Sequence, residues 1–281
     1  MRFGAALLAC LGLACLGLAG CAAPPSAGGG GGIVSMNPCA DATLLELVPP
    51  SRIAAISHYS QRADSTSIPL EIARRFRGNN GTAEEVIGLK PDLVVASSFT
   101  PPSTREAFAR AGLKVLYLGI PPSIADSKTQ VTELAAAVGA PAKGAALNAR
   151  IDAAVVATRW SGPKAPALLW IGGNLVTGGE TLLDDLMTTA GFSNQAAHYG
   201  LTHTGHLPME RVIADPPRVM LAPEGAGHDS DSRAAILRKR AIAETGLKVT
   251  QAQFSRELVN CGGPVIPAAL ARLAEIRREV H

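Results

Sequence analysis

The chain has 281 residues, with 26 Lys and Arg against 23 Asp and Glu, a formal net charge of +3. So small an excess excludes a nucleic-acid binder that works through a basic surface. Hydrophobic residues make up 47% of the chain but aromatics only 4%, so the core must be aliphatic, and an aromatic outside it becomes a candidate ligand contact.

Residues 1–20 read as an export signal. Arg2 precedes an apolar run, Ala5 to Ala19, that is too short to span a bilayer comfortably. It ends in Leu18-Ala19-Gly20-Cys21, the small-residue pattern that places a cysteine for acylation, with an ordinary secretory signal as the alternative. Residues 21–32, closing on Gly28 to Gly32, form a flexible tether. Loss of the signal removes Arg2 alone and leaves a charge of +2. No later stretch is long and apolar enough to cross a membrane.

Past the tether, Ile33 to Met36 reads as a strand. Asp41 to Val48 reads as a helix begun by Asn37-Pro38 and stopped by Pro49-Pro50. Arg52 to Ser57 is a strand, Ile68 to Arg75 a helix, and Gly78 to Gly81 a loop. Thr82, with Glu85 three residues on, makes a capping box that leaves Glu84 pointing outward in the first turn. Asp92 to Ser97 is a strand, Pro102 to Ala111 a helix and Lys114 to Leu118 a strand. Such alternation predicts a parallel sheet covered on both faces. Ser127 to Val138 is a helix, and Ala142 to about Trp160 is a longer one with Leu147, Ile151 and Val155 on one face. With no Gly-Ser linker between the halves, that helix joins them and resists hinge bending. In the second half Ala165 to Ile171 and Arg218 to Ala222 read as strands. Thr181 to Ala190, Leu207 to Ala214, Ser232 to Thr245 and Val265 to Val280 read as helices. The expected fold is α/β: two lobes, each a parallel-rich sheet flanked by helices, joined by a single long α-helix. The lobes span 33–140 and 161–281, with the connector at 141–160.

One unit is written twice. Glu84-Glu85-Val86-Ile87 through Pro91 to Ala96 returns as Glu210-Arg211-Val212-Ile213 through Pro217 to Ala222, at a constant offset of 126 residues (Glu84 to Glu210). Each copy is a short helix, a proline and a buried strand, and each carries one exposed glutamate at the same place. The cysteines reduce as simply. Cys10 and Cys15 leave with the signal and Cys21 takes the lipid, so Cys39 and Cys261 remain. In an oxidising compartment an isolated pair reads as a disulfide, with two buried thiols or two metal ligands as alternatives.

These features together resemble the substrate-binding proteins of ABC importers, of the rigid, helical-backbone type that carries iron-siderophores and cobalamin. The carrying segments are Ile33-Val34-Ser35-Met36-Asn37-Pro38, Arg52 to Ser57, Glu84 through Leu89-Lys90-Pro91-Asp92-Leu93-Val94, and Cys261-Gly262-Gly263-Pro264. The resemblance implies a monomeric periplasmic lipoprotein, anchored through Cys21, that enzymatically catalyses nothing and needs no cofactor or structural metal. It implies that Glu84 and Glu210 dock onto arginines of an ABC permease/ATPase complex; stabilising their own helix termini is the alternative role. Its ligand, a metal chelate or corrinoid, belongs between the lobes at the loops after the strand ends. Those loops hold Asn37, Pro38, His58, Tyr59 and Phe99 in the first lobe, and Asn174, His203, His206 and Arg256 in the second. Tyr59 matches a pocket tyrosine of cobalamin-binding relatives, whereas Leu258 stands where they carry tryptophan. Cys39 and Cys261 fall near the same cleft.

Other readings fare less well. His198, His203 and His206 suggest a zinc or manganese receptor, but only His58 answers them from the first half. Haem lacks a tyrosine between Ser97 and Pro102 to hold its iron. An exported hydrolase lacks a Gly-x-Ser-x-Gly elbow, and the neighbours Asp184 and Asp185 face different ways on their helix.

Overall fold

The structure is a computed structural model that describes residues 31–172, 174–223, 236, 240, 242–244, 246 and 248–280. The expected signal, Cys21 and nearly all of the tether lie outside the described residues, as does most of the expected helix over 232–245.

The first lobe runs β1 (Ile33–Ser35), α1 (Pro38–Leu47), β2 (Ile53–Ser57), α2 (Leu70–Ala73), β3 (Gly78–Asn79), α3 (Ala83–Gly88), β4 (Leu93–Ser97), α4 (Pro102–Arg110) and β5 (Val115–Leu118). Helix starts follow the punctuation in the sequence: Asn37 Oδ1 accepts from the N–H groups of Cys39 and Ala40, and Pro102 occupies the first turn of α4. Thr82 Oγ1 caps α3 as expected, but Glu85 reaches back to the Asn80 N–H at 2.8 Å rather than to the cap residue. The sheet order is β3-β2-β1-β4-β5, with every pair parallel. The segment expected as a loop at Gly78–Gly81 thus contributes a two-residue edge strand. Side chains alternate between two cores. Ile33, Ile53, Leu93 and Val95 join Leu44 and Leu47 of α1, while Val34, Ala55, Val94 and Ala96 join Val86 and Phe108 of α3 and α4.

Two helices bridge the lobes, α5 (Ile124–Ala137) and α6 (Pro141–Thr158). They pack closely, because a Cβ on Gly144 would collide with that of Ala135. Helix α5 belongs to both cores: Ile124 and Val131 enter the second lobe's cluster, Leu134, Ala135 and Val138 the first's. Bending between the lobes would therefore expose apolar surface at about 25 cal/mol per Å².

The second lobe runs β6 (Ala165–Gly172), β7 (Leu175–Val176), α7 (Leu182–Thr189), β8 (Phe192–Asn194), α8 (Gln195–His198), β9 (Gly205–His206), α9 (Met209–Ala214), β10 (Val219–Ala222) and β11 (Thr250–Gln253). Its sheet has the order β11-β10-β6-β7-β9, with β8 also on β6; the β7 pairings are antiparallel. A short helix, Arg256–Val259, and the C-terminal helix Ile266–Glu279 follow. Arg277 anchors the latter, donating to the carbonyls of Gly191, Pro163 and Val280 and lying 4.2 Å from the Trp160 ring centre. No helix among the described residues is long and apolar enough to cross a membrane.

Candidate functional site

In the first sheet the strand order reverses between β1 and β4, and the crevice beyond the carboxyl ends of such strands is where open α/β sheets bind ligands. A cavity of about 740 Å³ lies there, walled by both lobes. Asn37 follows β1, Ser97 ends β4 and Phe99 follows it, and Leu118 ends β5 with Gly119 to Pro122 after it. Opposite stand Ile171, Thr177, Glu180 to Leu183, His203 and Thr204.

The first-lobe wall holds two large apolar side chains outward, Phe99 and Ile120, beside the polar Asn37, Ser97 and Gln130. Ser97 organises its turn by accepting from the Phe99 N–H through Oγ (3.2 Å) and from Thr100 N through its carbonyl (2.9 Å). Arg105 clamps the far side through the carbonyls of Thr100 and Ser98, and lies 4.2 Å from the Tyr117 ring centre. Phe99 is left 73% exposed. Ile120 is 75% exposed on a loop steadied by Gln130, which donates to the Gly119 carbonyl at 2.9 Å. Large side chains left in water on a braced frame are suited to covering an apolar ligand.

The second-lobe wall sets a tightly wired polar corner beside the apolar Ile171, Leu182, Leu183 and Val259. Thr177 Oγ1 lies 2.9 Å from Thr181 Oγ1, which donates to the Gly178 carbonyl and accepts from Asp184 N, capping α7. Asn194 Nδ2 donates to the carbonyls of Thr177 and Gly178. A Cβ on Gly178 would run into the carbonyl oxygens of His203 and Leu201, so only glycine lets these two loops meet.

The floor joins the lobes covalently. Cys39 and Cys261 form a disulfide with Cα atoms 5.1 Å apart, and both line the cavity. Gly263, at φ +56°, donates to Ser127 Oγ at 2.8 Å, and Ile124 N donates to Asp185 Oδ2 at 2.8 Å. A Cβ on Gly262 would strike Ser127 and Leu182.

Of the residues expected at the ligand, Asn37, Phe99 and His203 line this cavity; Pro38, His58, Tyr59, Asn174, His206 and Arg256 do not. Strand order explains Tyr59. It follows β2, which lies on the far side of β1 from β4, and its ring rests on His58 with centres 4.0 Å apart. Asn174 and His206 belong to the antiparallel edge, and the Arg256 guanidinium lies against Gly172. His198 pairs with Asp215 at 3.0 Å. Among the described residues no three His, Cys, Asp or Glu side chains gather as a metal site. Sequence reasoning missed Ile120, Thr177, Glu180 and Thr181. The rule that picks loops after strand ends would have found Ile120, since it follows β5. Glu84 and Glu210 are both exposed, each the second residue of a six-residue helix, α3 and α9.

Residues 33–245 match the family described as periplasmic binding protein. No curated protein matches the chain. Among solved structures, the chain is similar to the periplasmic heme-binding protein RhuT from Roseiflexus sp. RS-1 in apo form: 22% identity, TM-score 0.71, covering 88% of this chain and 97% of that one. It is similar to the periplasmic heme-binding protein HutB of Vibrio cholerae at 17% identity and TM-score 0.71, covering 87% and 98%. It is also similar to the periplasmic vitamin B12 binding protein BtuF of Vibrio cholerae at 16% identity and TM-score 0.67, covering 88% and 96%. At these identities the likeness is one of fold.

Proposed function

The chain belongs to the periplasmic binding protein family, and from that premise we propose that it is the solute receptor of an ABC importer. It captures a metal chelate of iron-siderophore or cobalamin type between its lobes and delivers it to the permease. Export by the signal, anchoring through Cys21 and docking through Glu84 and Glu210 belong to the same proposal. The observation that carries it is the cavity: a largely preformed cleft at the switch point, with exposed Phe99 and Ile120 on one wall and Thr177, Glu180, Thr181 and His203 among the apolar groups of the other. Affinity comes from filling that cleft, and because α5, the disulfide and the Gly262-Gly263 corner already hold the lobes, little energy goes into closing it.

One observation favours a second cargo, haem. His203 lines the cavity opposite the exposed Phe99 and Ile120, and an imidazole facing an apolar slot is a competent axial ligand. Calorimetric titration with cyanocobalamin, haem and a panel of ferric siderophores tests both readings. Binding on the order of micromolar or tighter by one class names the cargo. A Soret shift abolished by His203→Ala assigns haem. No binding of any of them, by heat or by absorbance, would leave the fold standing and remove this ligand class.

A further inference from the structure

Glu180 is one of two non-glycine residues among those described that hold a left-handed backbone, at φ +54°. L-residues avoid that region because Cβ crowds the following carbonyl, so such a residue persists only where its surroundings dictate it. Here they do. Gly178 and Gly179 precede it, wedged against the 201–203 loop, with the Gly179 N–H on the Leu201 carbonyl at 2.8 Å. Thr181 follows, its hydroxyl fixed between Gly178 and Asp184. The turn is braced on both sides, and it delivers an exposed carboxylate to the cavity. Among the described residues of the lining that carboxylate is also the one Asp, Glu, Lys or Arg side chain, and His203 is the only other ionisable side chain there besides the bonded cysteines.

Resting on the receptor reading above, we infer that Glu180 sets the charge class of the ligand. The cavity takes neutral or cationic chelates that present N–H or O–H donors, such as the amide rim of a corrinoid or an ammonium-bearing hydroxamate, and turns away polyanionic ferric catecholates. A chelate carrying several carboxylates or catecholate oxygens would meet Glu180 with no Lys or Arg among the described lining residues to compensate, whereas donors gain a charge-assisted bond on a group already held in place. Haem fits only with its propionates turned to solvent.

The test is isothermal titration of the purified chain and its Glu180→Gln and Glu180→Lys variants. The probes are cyanocobalamin, cationic ferrioxamine B and anionic ferric enterobactin, at low and high salt. Wild type is expected to bind a neutral or cationic chelate and not ferric enterobactin. Loss of one charge-assisted contact in Glu180→Gln should weaken the bound chelate about tenfold. Glu180→Lys should shift preference toward the anion, and for the cationic probe the difference between variants should shrink at high salt. Circular dichroism checks each variant's fold; should Glu180→Lys fail to fold, Glu180→Gln and the salt series decide. Preferred binding of ferric enterobactin by wild type overturns the inference, as does a chelate whose affinity is unchanged in the folded variants. In either case the receptor reading stands. Silence from all three probes overturns the inference alone, because the receptor reading also covers haem and the other ferric siderophores.

Discussion

The two lobes agree where the repeated unit lies and diverge where the cavity lies. Shifting α3 (Ala83–Gly88) by 126 residues gives α9 (Met209–Ala214), and the same shift carries the start of β4, Leu93, onto that of β10, Val219. Even so the two helices are begun differently: Thr82 caps α3 with its side chain, while α9 follows Pro208 with no side-chain cap. What is kept is the placement of one exposed glutamate per lobe. Around the cavity the described residues of the two lobes do not correspond. The first lobe keeps a wholly parallel sheet and offers Phe99, Ile120, Pro121 and Pro122; the second inserts an antiparallel edge and offers Thr177, Glu180, Thr181 and His203. Equivalence suits a task done by both lobes in the same way, and divergence suits two faces of one ligand.

The sharpest way to break that comparison is to reverse the shared charges. If the proposed docking holds, Glu84→Arg or Glu210→Arg should each lower uptake roughly tenfold or more, and together abolish it, because each would remove a charge-assisted contact and add repulsion toward permease arginines. Ligand affinity of the purified chain should not move, since neither residue lines the cavity. Uptake measured in cells beside calorimetry separates the two; unequal effects would mean the lobes do not dock alike. Next in size is the covalent link between them. Replacing Cys39 and Cys261 by Ser opens a closure of 222 residues, which the chain-entropy account values at about 5 kcal/mol of stability. Urea unfolding with and without reductant measures it. Should reduction leave the midpoint unmoved, the shared α5 core and the Gly262-Gly263 corner hold the lobes unaided.

The repeat was legible because each copy carries its own punctuation: a glutamate in the first turn, a proline stop and an aliphatic run. The helices α1 and α4 were legible for the same reason, through Asn37 and Pro102. The strands β3, β7 and β9 were not, because two residues hold no periodicity and are defined only by the partner they meet. The binding site shows the same division. Local pattern says where a strand ends, and so it proposed every loop with equal weight. Only the strand order says which ends face the cleft, which is why Asn37 and Phe99 line it and Tyr59 does not. Glu180 was out of reach for another reason: nothing in its neighbours' identities announces a left-handed backbone on a residue that is not glycine.

A buried acid sharpens the comparison at a smaller scale. Each lobe carries an aspartate in the first turn of a helix beside its sheet, Asp41 on α1 and Asp184 on α7, and burial raises the pKa of both. Asp41 is the extreme case. It is fully buried, and desolvation pushes it up to about 7 against the hydroxyls of Ser35 and Ser60 and the Ser57 N–H. Unfolded, the same carboxyl ionises near 3.8. Between those values the folded chain binds the proton that the unfolded chain has released. Stability therefore decreases as pH rises from about 4 to about 7 and is flat above, by up to on the order of 4 kcal/mol from this group. Asp41→Asn, which keeps the acceptor for Ser57 N and Ser60, should flatten most of that slope in urea melts taken across the window. Asp184→Asn should flatten far less, because Asp184 is only partly buried. Equal slopes lost in the two variants would mean that the lobes share this electrostatic feature as fully as they share the repeated unit. The expected inequality would place the pH response in the first lobe, in the first turn of the helix that Asn37 caps and that carries Cys39.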